Sequence, residues 1–193
     1  FRVLFNARFY YPVLAILFLD LALSATQYTL RNFAWALAIV FAEVPFGVLA
    51  DRLGRRPLLV AAGVCMVAEM AVLAVAPRDG GLLLFLFCLL NRVLSGMADS
   101  LASGADESLA FESLANADRR DDWPKVLAQV MHWQSLAMVL AMLLGSAVYD
   151  PQLLNRLAAW LGLAWQFDLG TTLRFPIYLN LLTAFGVLLV VMG

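Results

Sequence analysis

Long apolar runs separated by short polar breaks organise this chain. A bilayer core about 30 Å thick needs about 20 mostly apolar residues of helix to cross it. Runs at residues 11–30, 33–50, 57–76, 82–114, 124–149 and 176–193 reach or approach that length. Backbone polar groups in lipid must be satisfied inside the segment, so these runs are expected as helices rather than strands. The alternation of a β-barrel is absent. Six transmembrane helices of an all-α membrane protein are the first expectation.

The breaks fit that division. Pro57, Pro124 and Pro176 stand where helices would begin, positions that suit a residue with no N–H and a pre-set φ. Asp121 and Asp122 precede the fifth run and suit a helix N-terminus. Asp79-Gly80-Gly81 is a tight turn between the third and fourth. Residues 115–123 form a polar loop. Residues 150–175 place Leu153, Leu157, Trp160, Leu161 and Ala164 on one helical face. That segment is too short to span and is expected to lie along the membrane surface.

Composition narrows the class. Apolar residues make up 63% and charged residues 14%, against about 45–50% and about 25% in ordinary soluble domains. Net charge is −1, so nucleic-acid binding has no electrostatic footprint. Two cysteines, Cys65 and Cys88, and one histidine offer neither a disulfide framework nor a metal spacing. Residues 1–11 carry two Arg and no cleavage site of a signal peptide. The chain opens without Met and stops within an apolar run, and is expected to be a fragment.

Lys and Arg concentrate on cytoplasmic loops. With the N-terminus inside, Arg2, Arg8, Arg52, Arg55, Arg56, Arg119, Arg120 and Lys125 face the cytoplasm. Arg31, Arg78, Arg156 and Arg174 then lie outside, and Arg92 lies within the membrane. An N-in, multi-pass protein of the plasma (inner) membrane follows as the expectation.

Between the second and third runs stands Gly47-Val48-Leu49-Ala50-Asp51-Arg52-Leu53-Gly54-Arg55-Arg56, preceded by Glu43-Val44-Pro45. Gly47 allows close helix approach, Gly54 permits a tight turn, and Asp51 and Arg55 are spaced to form a charge-assisted pair. This run resembles the signature loop of the major facilitator superfamily, G-x-L-a-D-R-x-G-R-R/K. The resemblance implies a conformational latch between two halves of a transporter. It also implies that Glu112 is the partner of Arg55. In the fourth run, Arg92-Val93-Leu94-Ser95-Gly96-Met97-Ala98-Asp99-Ser100 resembles the family's second signature, with Gly96, Ser100 and Gly104 as small residues at four-residue spacing. Helix packing is the plainer account of those three.

Intramembrane charge is costly and usually marks a pathway or a partner. At 1.5 Å per residue, Asp20 lies about 14 Å deep from one face and Arg92 about 15 Å from the other. The two are expected near the midplane, either paired with each other or facing a substrate. A carboxylate alternately paired and dry changes its proton affinity, which couples protons to conformation. Asp99, Glu43 and His132 are further candidates, while Glu69 has no explanation from sequence. A static ion pair and a packing histidine are the plainer alternatives.

The resemblance implies two three-helix inverted repeats forming half of a twelve-helix transporter. The C-terminal six-helix half would belong to the same polypeptide. It implies alternating access around a midplane site, with a small molecule and protons as partners, the lipid bilayer as solvent, and no cofactor. Export of a hydrophobic compound is preferred, with metabolite uptake and a non-transporting sensor or scaffold as alternatives. The fifth run has one Gly, Gly145, and no Pro in its Ala137–Ser146 stretch, unlike the G-P-x-x-G-G type motif of proton-driven drug antiporters. No base–nucleophile constellation suggests an enzyme.

Overall fold

The computed structural model describes every residue except 15, 17–22 and 78–80. Among the described residues the elements are helical: α1 (Arg2–Phe5), α2 (Ala25–Leu53), α3 (Arg55–Val75), α4 (Leu82–Ala102), α5 (Ala105–Asn116), α6 (Trp123–Tyr149), α7 (Pro151–Trp160), α8 (Leu169–Thr172) and α9 (Phe175–Met192). A 3-10 turn at Arg120–Asp122 leads into α6. Among the described residues, five stretches are long and apolar enough to cross a bilayer: Ala25–Leu53, Arg55–Val75, Leu82–Asn116, Arg120–Tyr149 and Leu169–Met192. This is the pattern of an all-helical, multi-pass membrane protein.

The differences from the sequence expectation have local causes. The run at 11–30 does not continue to residue 30, because Ser24 opens a new helix. Its hydroxyl accepts from the Gln27 N–H and the Gln27 side chain accepts from the Ser24 N–H, a closed capping box. The second span therefore begins at Ala25, not residue 33. Part of the first run lies outside the described residues, including Asp20. The fourth run is not continuous over 82–114. It breaks at Ser103-Gly104, where Gly104 takes φ +69, a left-handed conformation natural to glycine. Residues 150–175 hold the short helix α7 and the single turn α8. Trp160 and Trp165 are exposed, as interfacial aromatics are.

The core of the bundle is α3 and α4, which pack on each other; α2 lies against α4, and α9 against α3. Two larger apolar clusters fill most of it, beside a small one of Leu59, Ala105 and Val191. One joins Tyr10, Val13, Met70, Leu73, Leu84, Cys88 and Ile177. The other joins Phe5, Leu58, Ala62, Met66, Ala98, Leu101, Ala184 and Val187. Each contributing element passes from one cluster to the other through a buried polar residue. Arg8 lies between Phe5 and Tyr10, Glu69 between Met66 and Met70, Asn91, Arg92 and Ser95 between Cys88 and Ala98, and Asn180 between Ile177 and Ala184. The interior is a polar layer between two apolar ones.

Candidate functional site

The N-terminal segment brings the first charge into this layer. Arg2 pairs with Asp106 at 2.7 Å and with Glu107, tying α1 to α5. The chain then runs inward without helix. The Phe9 N–H donates to Asn180 Oδ1 at 2.6 Å. Its carbonyl oxygen lies against α6 at Gly145, where a Cβ would stand 1.7 Å away. Arg8 is buried there, not cytoplasmic as its place in the sequence suggested. Irregular backbone at membrane depth is tolerated where protein encloses it.

Arg8 is shared by two carboxylates. It pairs with Glu69, and its Nη2 lies 3.6 Å from Asp99 Oδ1. Glu69 is fully buried, whereas the Asp99 side chain keeps 27% of its surface. Asp99 also accepts from Trp35 Nε1 at 3.0 Å. It borders a polar cavity of about 380 Å³ that reaches Arg2, Ser103, Asp106, Glu107 and Gln134. The pair thus has a sealed member on α3 and a solvent-facing member on α4, with one cation between them. Asn91 Nδ2 donates to the Glu69 carbonyl at 2.8 Å, holding α4 against α3 at this level. Glu69 Oε2, Asn91 Oδ1 and Ser95 Oγ have no hydrogen-bond partner among the described residues. Buried oxygens in that condition cost free energy.

Arg92 is 4% exposed. Its Nη2 donates to the Tyr10 hydroxyl at 3.4 Å and its guanidinium sits 5.9 Å from the Tyr10 ring centre. No described carboxylate lies within ion-pair distance of it. Asp20, its expected partner, lies outside the described residues. Arg31 is fully buried over the Tyr28 ring and donates to Asn32 Oδ1 at 3.1 Å.

The turn at residues 47–56 forms the other site. Gly54 turns the chain at φ +85 between α2 and α3. Arg55 Nε lies 2.9 Å from Glu112 Oε1, bridging that turn to α5. Asp51 has no ion-pair partner among the described residues, and Arg52 is exposed. Arg56 donates to the carbonyls of Val191 and Met192 at 3.3 and 3.2 Å, a tie to α9 that sequence reading missed. Glu43, expected in the central cavity, is exposed in a groove of about 290 Å³ with Gly47, Asp51, Arg55, Ser100 and Gly104.

Of the small residues, Gly96 packs closely. A Cβ there would come within 2.8 Å of Ala38 Cβ and of the Trp35 carbonyl on α2. Ser100 is buried and donates to the Gly96 carbonyl at 2.9 Å. Gly104 and Gly47 face open space, so neither serves close helix approach among the described residues. His132 is exposed on α6, edge-on to Trp133 at 5.8 Å, and does not join the polar layer. Among the described residues no cluster of His, Cys, Asp and Glu fits a metal ion. No family model, curated protein or solved structure matches the chain.

Proposed function

We propose that this chain is the first six-helix half of a secondary transporter of the major facilitator type. It moves a small molecule by alternating access, coupled to protons, with an N-terminus in the cytoplasm. Export of a hydrophobic compound is preferred over metabolite uptake. The observation that carries the reading is the polar layer: Glu69, Asp99 and Arg92 lie inside helices otherwise apolar enough to span a membrane, and Arg8 reaches them on non-helical backbone. A bundle needing only stability gains little from such charges, since buried pairs are often replaceable by apolar residues without loss. One cation between a sealed and a solvent-facing carboxylate is instead a device that responds to a proton. Protonating Asp99 leaves Arg8 wholly to Glu69, and deprotonating it draws Arg8 toward the cavity.

The rim supports the same reading. Arg55–Glu112 holds the signature turn to α5. Asp51, Glu43 and the open face at Gly47 are then free for contacts from a second half. An ion pair near water is weak enough to be remade in every cycle. The test is flux of hydrophobic fluorescent dyes driven by a proton gradient in proteoliposomes of the full-length protein. Asp20→Asn and Arg92→Ala are each expected to lower it; unchanged flux in both removes these groups from coupling.

A further inference from the structure

We propose that the cavity beside Arg92 binds an amphipathic organic anion, a small carboxylate on an apolar or aromatic body. The inference rests on the transport reading only for the claim that the anion is carried across.

The cavity is about 420 Å³, within the range of small-molecule sites. Tyr11, Trp35 and Met142 line it with aromatic and thioether surface, while Arg92 and Asn32 bring the polar groups. Arg92 Nε has no hydrogen-bond partner among the described residues, and the bond its Nη2 makes to Tyr10 is long at 3.4 Å. The interior carboxylates Glu69 and Asp99 engage Arg8 instead. Asn32 Oδ1 is occupied by Arg31, so Asn32 offers a ligand its amide N–H groups, with a second guanidinium behind it.

Among the described residues, the charged group lining this space is therefore a cation, with the Asn32 amide and the Tyr11 hydroxyl as its neutral polar neighbours. A guanidinium fork matches a carboxylate in two parallel bonds. A neutral apolar ligand would cover Arg92 and leave its Nε desolvated and unpaired. An ammonium ligand would meet like charge. The aromatic walls take the ligand's apolar body.

Calorimetric titration of the purified full-length protein in detergent with phenylbutyrate, phenylbutanol and phenylbutylamine tests this without transport. The acid is expected to bind tightest, by about tenfold to hundredfold over the alcohol, and the amine weakest. Arg92→Lys keeps the order and Arg92→Gln erases it. Equal binding of acid and alcohol, tightest binding of the amine, or no binding of any of the three overturns the proposal on the parent protein alone, whatever the variants do. So does an anion preference that survives Arg92→Gln. Anion binding without flux removes the transport reading and leaves the site; dye flux without anion preference does the reverse.

Discussion

Two arginine–glutamate pairs built from the same side chains sit in opposite surroundings. Arg8–Glu69 lies between two apolar clusters, with side-chain exposures of 4% and 0%. Arg55–Glu112 lies at a turn, with exposures of 31% and 53%. Coulomb attraction at a given separation is several-fold larger in the low-dielectric interior than near water, but so is the cost of removing each ion from solvent. The buried pair is therefore nearly neutral while intact and severe when broken. The rim pair is weak in both conditions. Attraction alone does not tell a switch from a tether; what each group would be left facing does.

The largest effect follows from breaking the buried pair on one side. Glu69→Gln leaves Arg8 with Asp99 alone, at 3.6 Å, and is expected to lower unfolding stability by about 3–5 kcal/mol. Arg8→Met with Glu69→Leu should regain most of that loss, since both charges go together. Denaturation in detergent reads both, and a cost below about 1 kcal/mol for the single change, the scale of an exposed pair, would show that the pair is not sealed. Next come the close approaches beside the polar layer. Gly145→Ala drives a Cβ into the Phe9 carbonyl, and Gly96→Ala meets Ala38 and Trp35, both backbone or near-backbone neighbours. Each should cost about 1–3 kcal/mol. Gly47→Ala meets open space within α2 and should stabilise by about 0.5–1 kcal/mol through helix propensity. If Gly47 faces a second half of the protein, that same change slows flux.

The rim gives smaller numbers. Glu112→Gln is expected to change stability by about 0–1 kcal/mol while shifting the balance of inward and outward states, read by accessibility labelling. The smallest effect is a titration. Asp168 is held below the ordinary carboxylate range by the Thr171 hydroxyl, with backbone N–H groups adding to it. The depressed value means its capping of α8 is present above the unfolded carboxyl's midpoint and fades as pH falls through the folded one. Carbon-detected NMR should show that low midpoint, and Thr171→Val should raise it.

Much of the helical frame was legible, because Pro124, Pro176 and the apolar runs mark it directly. The α2 start was not, since the capping box Ser24–Gln27 lies within a continuous apolar stretch and length alone hides it. The break at Gly104 was read as packing because a glycine at four-residue spacing looks the same in both roles. The Arg55–Glu112 contact came from motif resemblance. Counting arginines by loop sets Arg8 facing the cytoplasm because it assumes that each charge stays on the side where the chain enters, and it does not reach the burial of Arg31. Arg8 instead follows unwound backbone to Glu69, a partner more than sixty residues away. No pattern along the sequence links those two positions. Asn91, Ser95 and Asn180 carried a faint signal as polar residues in apolar runs, and their convergence needed the packing of α3, α4 and α9.

Under the proposed function, the interior charges couple a proton to movement of a small molecule. Asp99→Asn in reconstituted full-length protein tests it most directly, because Asp99 is the solvent-facing member of the cluster and the substitution keeps its acceptor for Trp35. Counterflow exchange of a transported dye should persist in the variant while accumulation driven by a proton gradient disappears. Accumulation equal to the parent's would contradict the account.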